Sequence, residues 1–335
     1  MAIAAVMELS KPFSAKILYV SCQEAFDFFW VVAFLLHLWK QYCRLAVEFF
    51  LQVGGNMLKL VLQSCFLLLS LAGLAQAKLQ LAVAKDNLDA YIKMRASLDT
   101  AEQPVFYATG KIYAYEPDKP WRYLFDFEMY NIARTQKMPG DSGYYLLTRE
   151  MLVYKDPKTG EILKNWTNPW TGEVVDVLPV WNDPVNQIFR YGRFICPFEP
   201  LANGRVCLYN DVTLTYPSPL PPKDWPANSR SEWYQGAELF NFFCNEAELT
   251  NPMLKNISAD ISWTRFSDFL PWMRMAQRPG NLLYQSRGYK LKRFTDLPAH
   301  LRNYVLAHKP EYATAPDQYT SPNMTSWRYF KKVME

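Results

Sequence analysis

Side chains able to do chemistry cluster in a few short stretches. In "WRYLFDFEMYNIAR", Asp126 and Glu128 stand two apart. On a strand both carboxylates then share one face, opposite Phe125, Phe127 and Met129. Strand rise separates them by roughly 6.5–7 Å, within reach of a paired-carboxylate acid–base mechanism. The same alternation is also the ordinary pattern of a half-exposed strand. Asn131 follows, and "WNDPVN" brings Asn182, Asp183 and Asn186 around a proline. Glu128 is the candidate acid or base, Asp183 a second carboxylate, and the asparagines candidate orienters. An Asx-type turn is the alternative reading of "WNDPVN".

"AELFNFF" reads as a helix with Glu238 and Asn241 on one face. A glutamate among apolar residues is costly unless paired. Arg149 in "LLTRE" and Arg265 in "SWTRF" are its candidate partners. The group forms either a structural ion network or the polar floor of a ligand cavity. Trp263 and Trp272 would line the walls of such a cavity.

Other signatures point away from standard chemistries. "GDSG" at 140–143 resembles a serine-protease nucleophile motif, which needs a histidine to take the serine proton. His300 and His308 both lie downstream, so the stretch reads as a turn. Those histidines are eight apart, not the four that puts two ligands on one helical face, and no CxxC occurs. Glycine-rich nucleotide loops and GxSxG are missing too. The expectation is no metal and no cofactor.

The elements that must hold these residues are mostly strands. "KDNLDAYIKMRASLD" opens the folded part as a helix that Asp86 can cap. From Pro104 the period drops to two, and Ala108, Gly110 and Ala114 give "VFYATGKIYAYEP" an unusually small face. Short strands follow at regular spacing, separated by turn chemistry such as "EPDKP" and "MPGDSG". "DPKTGEIL" and "NPWTGEVV" are one small repeat twelve residues apart. "DLPAHLRNYVLAHKP" is a late helix. Seven to ten antiparallel strands with few helices predict a mainly β fold, a meander closing into a lipocalin-like β-barrel. A β-sandwich is the alternative. Closure removes the two edges that a long meander otherwise exposes.

The chain has 335 residues and a net charge of +4, too mild for a nucleic-acid footprint. "MLKLVLQSCFLLLSLAGLAQAKLQ" starts at Met57 and has a basic start, an apolar run and a small-x-small exit at Ala75–Gln76–Ala77. Those are the parts of a secretory signal peptide. The expected organisation is therefore a non-native or membrane-associated extension over 1–56, a signal peptide over 57–77 and a β-rich domain over 78–335. Cleavage between Ala77 and Lys78 would export that domain to the periplasm or outside the cell. An uncleaved anchor, the one expected route to a membrane, is the alternative. Three cysteines follow the cut, Cys196, Cys207 and Cys244. They allow one disulfide at most, with Cys196–Cys207 the candidate across "LANGRV".

Taken together, "DNLDAYIKMRASLD", "GKIYAYEP", "LLTREMLVYKDPKTGEILKNWTNPWTGEVV", "NDPVN", "AELFNFF" and "SWTRFSDFLPWMRMAQRPGNLLYQSRGYK" resemble an uncharacterised, mostly bacterial family, domain of unknown function 1838. The resemblance covers about Asp86 to Pro316. It departs at Met129, Gln187 and Ala276, where Gly, His and Gly are the residues it implies. Members often look exported, and the family implies no reaction. Two functional expectations follow. One is an exported barrel that binds a small, partly apolar molecule and transforms it by cofactor-free acid–base chemistry. The other is a non-catalytic envelope protein whose polar residues are structural.

Overall fold

The computed structural model describes residues 37–44 and 78–335. The proposed signal peptide and most of the 1–56 extension lie outside the described residues. Residues 37–44 are helical.

In the part after residue 77, antiparallel pairing dominates. Twelve strands occur, and ten form one sheet in the order β6-β3-β2-β1-β12-β11-β10-β9-β8, with β7 paired to β3. The long members are β1 (Val105–Tyr115), β2 (Arg122–Lys137), β3 (Gly143–Lys155), β9 (Arg205–Pro217), β10 (Trp233–Asn245), β11 (Asp260–Ser267) and β12 (Asn281–Leu291). The path leaves two ends, and short strands occupy both: β6 (Val180–Asn182) with β7 (Gln187–Arg190), and β8 (Phe198–Pro200). Short edge strands offer little template for unwanted pairing.

The two-residue period is visible in what each face buries. Phe125 and Phe127 on β2, Tyr154 on β3, Trp263 on β11 and Tyr284 on β12 point to one side and form the main core with Trp272. The small face of β1 belongs to the same side. A Cβ added to Gly110 would sit 2.3 Å from the Gln285 carbonyl oxygen and 2.6 Å from the Phe127 ring. Glycine there lets the Phe127 ring lie down on the strand. The other face of β1, β2 and β3 is not left to water. Tyr107, Tyr130, Ile132 and Val153 pack with Leu301 and Val305 of a late helix, Ala299–His308, and with Tyr312.

After residue 77, four helices longer than a single turn lie outside the sheet, named here α1 (Ala84–Arg95), α2 (Glu246–Thr250), α3 (Ala299–His308) and α4 (Ser326–Met334). Val83 is the N-cap of α1, and Asp86 in its first turn accepts instead from the Gln80 amide at 2.8 Å. The Lys93 ammonium, fully buried, donates to the carbonyls of Glu248, Leu249 and Asn251 and so satisfies the C-terminal end of α2.

The twelve-residue repeat folds twice into one turn. Gly160 N–H donates to the Asp156 carbonyl and Gly172 N–H to the Asn168 carbonyl, each at 2.8 Å. Asp156 and Asn168 each accept the amide two residues on through Oδ1, and Thr159 and Thr171 each accept from the following glutamate amide. Both glycines sit at φ +74°, a conformation that only glycine reaches cheaply. The second copy closes the hairpin of β4 (Asn165–Thr167) and β5 (Val174–Asp176).

One expectation is corrected, and one candidate pairing is not realised. "AELFNFF" is no helix: it lies inside β10, paired to β9 on one side and β11 on the other. Its nearly continuous apolar run fits either period, and the two flanking strands decide it. The helix begins only at Glu246, where Asn245 caps it by accepting from the Glu248 amide at 3.1 Å. The Cys196–Cys207 disulfide is not formed, and Cys196, Cys207 and Cys244 are free and buried. Both backbone groups of Cys196 are tied to the Asn87 side chain of α1, at 2.7 and 3.0 Å, while Cys207 belongs to β9.

Candidate functional site

The sheet and α4 border an open cavity of about 450 Å3. Its walls are apolar and aromatic: Phe106, Met129, Leu152, Leu214, Phe240, Phe242 and Trp263. Its polar groups come from strands far apart in the sequence. Asn131 is on β2, Glu150 on β3, Asn182 on β6, Asn210 on β9, Glu238 on β10 and Arg265 on β11, with Arg95 from α1 and Arg328 from α4.

Register explains how three of these meet. Asn131 lies directly opposite Glu150, and Glu150 directly opposite Asn182. The three side chains therefore stand in a row across β2, β3 and β6 on the cavity side. Asn131 Nδ2 approaches Glu150 Oε1 and Asn182 Nδ2 approaches Glu150 Oε2, each at 3.4 Å. Both asparagines are buried, and the Oδ1 of each has no hydrogen-bond partner among the described residues. Burial raises the pKa of Glu150 and the nearby Glu238 charge raises it further. The Asn182 hydrogen bond and the charges of Arg265 and Arg95 act against that rise without cancelling it.

Across the cavity, Glu238 and Arg265 are also opposed in register and form an ion pair at 3.3 Å. Trp263 Nε1 donates to Glu238 Oε2 at 3.3 Å, and Arg265 donates to the Tyr234 hydroxyl at 2.8 Å. Of the two candidate partners of Glu238, Arg265 is the one the fold supplies. Arg95 lies over the Phe106 and Phe242 rings, 5.2 Å from each centroid, with no ion-pair partner among the described residues.

The C-terminal segment roofs this space. Pro322 to Ser326 and Arg328 line it, and Trp327 packs on Tyr234 with ring centroids 4.5 Å apart. "NDPVN" is what holds the roof down. Asn186 N–H donates to Asn323 Oδ1 at 2.8 Å, and Asn323 Nδ2 returns a bond to the Asn186 carbonyl at 2.9 Å. Met324 N–H donates to the Pro184 carbonyl, and Asn186 Nδ2 to the Thr320 carbonyl.

The residues singled out from sequence divide cleanly. Asn131, Asn182, Glu238, Trp263 and Arg265 line the cavity. Glu128, Asp183, Arg149, Asn186, Asn241 and Trp272 do not. Arg149 and Asp183 pair with each other at 2.8 Å on the opposite face, where Arg149 also binds the carbonyls of Glu311 and Thr314. Asn241 follows the outward parity of β10, and Trp272 is packed among Phe125, Tyr154 and Trp166 in the core. Met129 and Gln187, two of the positions where the chain departs from the pattern it resembles, both line the cavity.

Glu128 needs the clearest correction. Alternation sends Phe127 and Met129 inward, so Glu128 points outward, yet it is only 5% exposed because α3 covers that face. It accepts from Lys155 Nζ at 2.5 Å and from the Tyr107 hydroxyl at 3.3 Å, and meets His300 Nε2 of α3 at 2.8 Å. Burial alone would raise its pKa, but the hydrogen bonds from Lys155 and His300 outweigh that and hold it below the ordinary glutamate value. Stability from this cluster is therefore complete above the unfolded-state pKa and is lost as pH falls through the lower, folded one. Glu128→Gln is expected to unfold about 1–3 kcal/mol more easily in urea at pH 7. At pH 3 the gap to the unmodified protein should narrow. An equal gap at both pH values would refute the assignment.

The decisive residue that sequence reasoning passed over is Glu150. It stands in "LLTREMLVY", where both faces are apolar, so alternation does not mark which neighbour, Arg149 or Glu150, faces the cavity. Its signal is the opposed register with Asn131, which only the β2–β3 pairing supplies.

Comparison with curated proteins returned no match. The model of a family described as a protein of unknown function, DUF1838, matches residues 101–334, a span that includes the strands that carry the cavity and the segment that roofs it, and the chain belongs to that family.

Proposed function

We propose that residues 78–335 act as an exported small-molecule-binding domain that holds a partly apolar molecule in the cavity and transforms it by cofactor-free acid–base chemistry at Glu150. The observation that carries this reading is a carboxyl group of raised pKa, set in an aromatic-walled cavity between two buried amides with free oxygens. A general acid or base working near neutral pH needs such a shift. Glu238, tied to Arg265 and Trp263, is the fixed charge that keeps Glu150 protonated more readily. The expected barrel belongs to the proposal as well. Asn182 of β6 and Asn210 of β9 lie near opposite ends of the strand order, yet both line one cavity, which supports a sheet curled around its ligand. Export rests on the character of residues 57–77.

The test is retention. The purified domain, denatured and analysed by mass spectrometry, should release a bound small molecule. Val212→Trp, which places an indole into the cavity from β9 without touching the buried core, should release none while keeping the same circular dichroism. Loss of the molecule from neither protein, or its absence from both, rejects the reading.

A further inference from the structure

The row Asn131–Glu150–Asn182 says more about the ligand than the cavity's size does. Both asparagines are more than nine-tenths buried, at 8% and 7% exposure. Each turns its amide N–H group towards one oxygen of the same carboxylate, which fixes the side-chain orientation and leaves each Oδ1 buried with no donor among the described residues. Buried acceptors without partners are rare in folded proteins and call for an explanation, and in the wall of a cavity a bound molecule supplies one. Here they come in line: amide oxygen, carboxylate, amide oxygen, on adjacent strands about 4.8 Å apart. What the two amide oxygens lack is a donor.

The sign of the donor follows from the other walls. Arg95, Arg265 and Arg328 share the cavity, and among the described residues only Arg265 of the three has a carboxylate partner. A cationic ligand would meet that positive surplus, whereas neutral hydroxyl groups satisfy the acceptors without it. Flat aromatic surface lies nearby: Phe240 stacks parallel to Phe242, with 6° between the rings, and Trp263 adjoins Phe240. Such walls favour a ring. Resting on the reading of the cavity as a small-molecule site, we propose that its ligand class is a neutral ring carrying adjacent hydroxyl groups, with the central hydroxyl on Glu150 and its neighbours on Asn131 and Asn182.

Calorimetric titration of the 78–335 domain under argon tests this with 1,2,3-trihydroxybenzene, phenol and anisole. Affinity should rise by about tenfold for each hydroxyl added. An all-cis 1,2,3-cyclohexanetriol arm tells phenolic rings from alicyclic polyols, and tight binding of either supports the class. Asn131→Leu and Asn182→Leu should each remove about tenfold of the preference for the triol over phenol. Should either fail to fold, Asn131→Ser and Asn182→Ser serve instead. Equal affinity for the triol and phenol, or a preference that survives both substitutions, overturns the proposal. The dye 8-anilinonaphthalene-1-sulfonate separates the two levels of failure. If it binds the unmodified domain and not Val212→Trp while all hydroxylated rings fail, the ligand class is wrong and the cavity reading stands. If the dye fails as well, both fall.

Discussion

Arg265→Met is expected to lower the unfolding free energy by about 3–5 kcal/mol, the usual cost of stripping one partner from a buried ion pair. The guanidinium bridges two groups. It pairs with Glu238 at 3.3 Å and donates to the Tyr234 hydroxyl at 2.8 Å, and Tyr234 in turn carries Trp327 of the roofing segment. Methionine keeps most of the volume and none of the charge, leaving Glu238 with only the Trp263 indole N–H at 3.3 Å. Both side chains retain some exposure, 18% and 17%, which the cavity supplies, so the loss is expected at the lower end of the range. Urea unfolding followed by tryptophan fluorescence measures the loss. Adding Glu238→Leu should restore much of it, because an apolar pair of similar size avoids the desolvation of two charges. A double variant as unstable as the single one would show that Arg265 acts through packing alone, and a loss under 1 kcal/mol would show that the pair is effectively solvated.

How far the sequence could be read depended on whether one face of a strand faced water. The repeated turns at Asp156 and Asn168 are local chemistry, with a side-chain acceptor, a threonine and a glycine at fixed offsets, and they fold as their residues dictate. The mainly β, antiparallel character follows from the same kind of signal, since alternation and turn residues are read over a few positions. Family membership was legible from its combined motifs, and the match over residues 101–334 supports it.

Side-chain direction was harder. On β2 the aromatic set does point to the core, as alternation suggests, but the opposite face is buried under α3 rather than hydrated. Glu128 therefore has neither role foreseen for it: it faces away from the cavity and is still buried, as the anchor of His300 and Lys155. A helix more than 150 residues downstream makes that difference, and no local pattern encodes it. In β10, the run "LFNFF" fits a helix as well as a strand, and the choice is made by β9 and β11 on its flanks. Arg265 and Glu238 meet all the same, because the strand register sets them opposite each other.

Glu150→Gln is expected to do two things that rarely go together: raise stability and remove function. In the folded protein without ligand, burial and Glu238 raise the pKa of Glu150 above its unfolded value. Between those two values the folded state holds more protons than the unfolded one, so stability falls as pH rises through that window. Glutamine cannot ionise and escapes the loss. At pH 7 the variant should therefore be more stable than the unmodified domain, by about 0.5–2 kcal/mol, the usual gain when a functional site is relieved of its strain. Below the ordinary carboxylate pKa the two proteins should melt alike, because glutamate is then neutral in both states. The same substitution should cost about 10²–10⁴ in turnover of the retained molecule, the typical share of one general acid or base. Thermal melts at pH 4 and pH 7, run beside product analysis, give both halves. A structural glutamate would behave in the opposite sense, with lower stability at pH 7 and undiminished turnover. That result would return Glu150 to the framework and leave the cavity a binding site without chemistry.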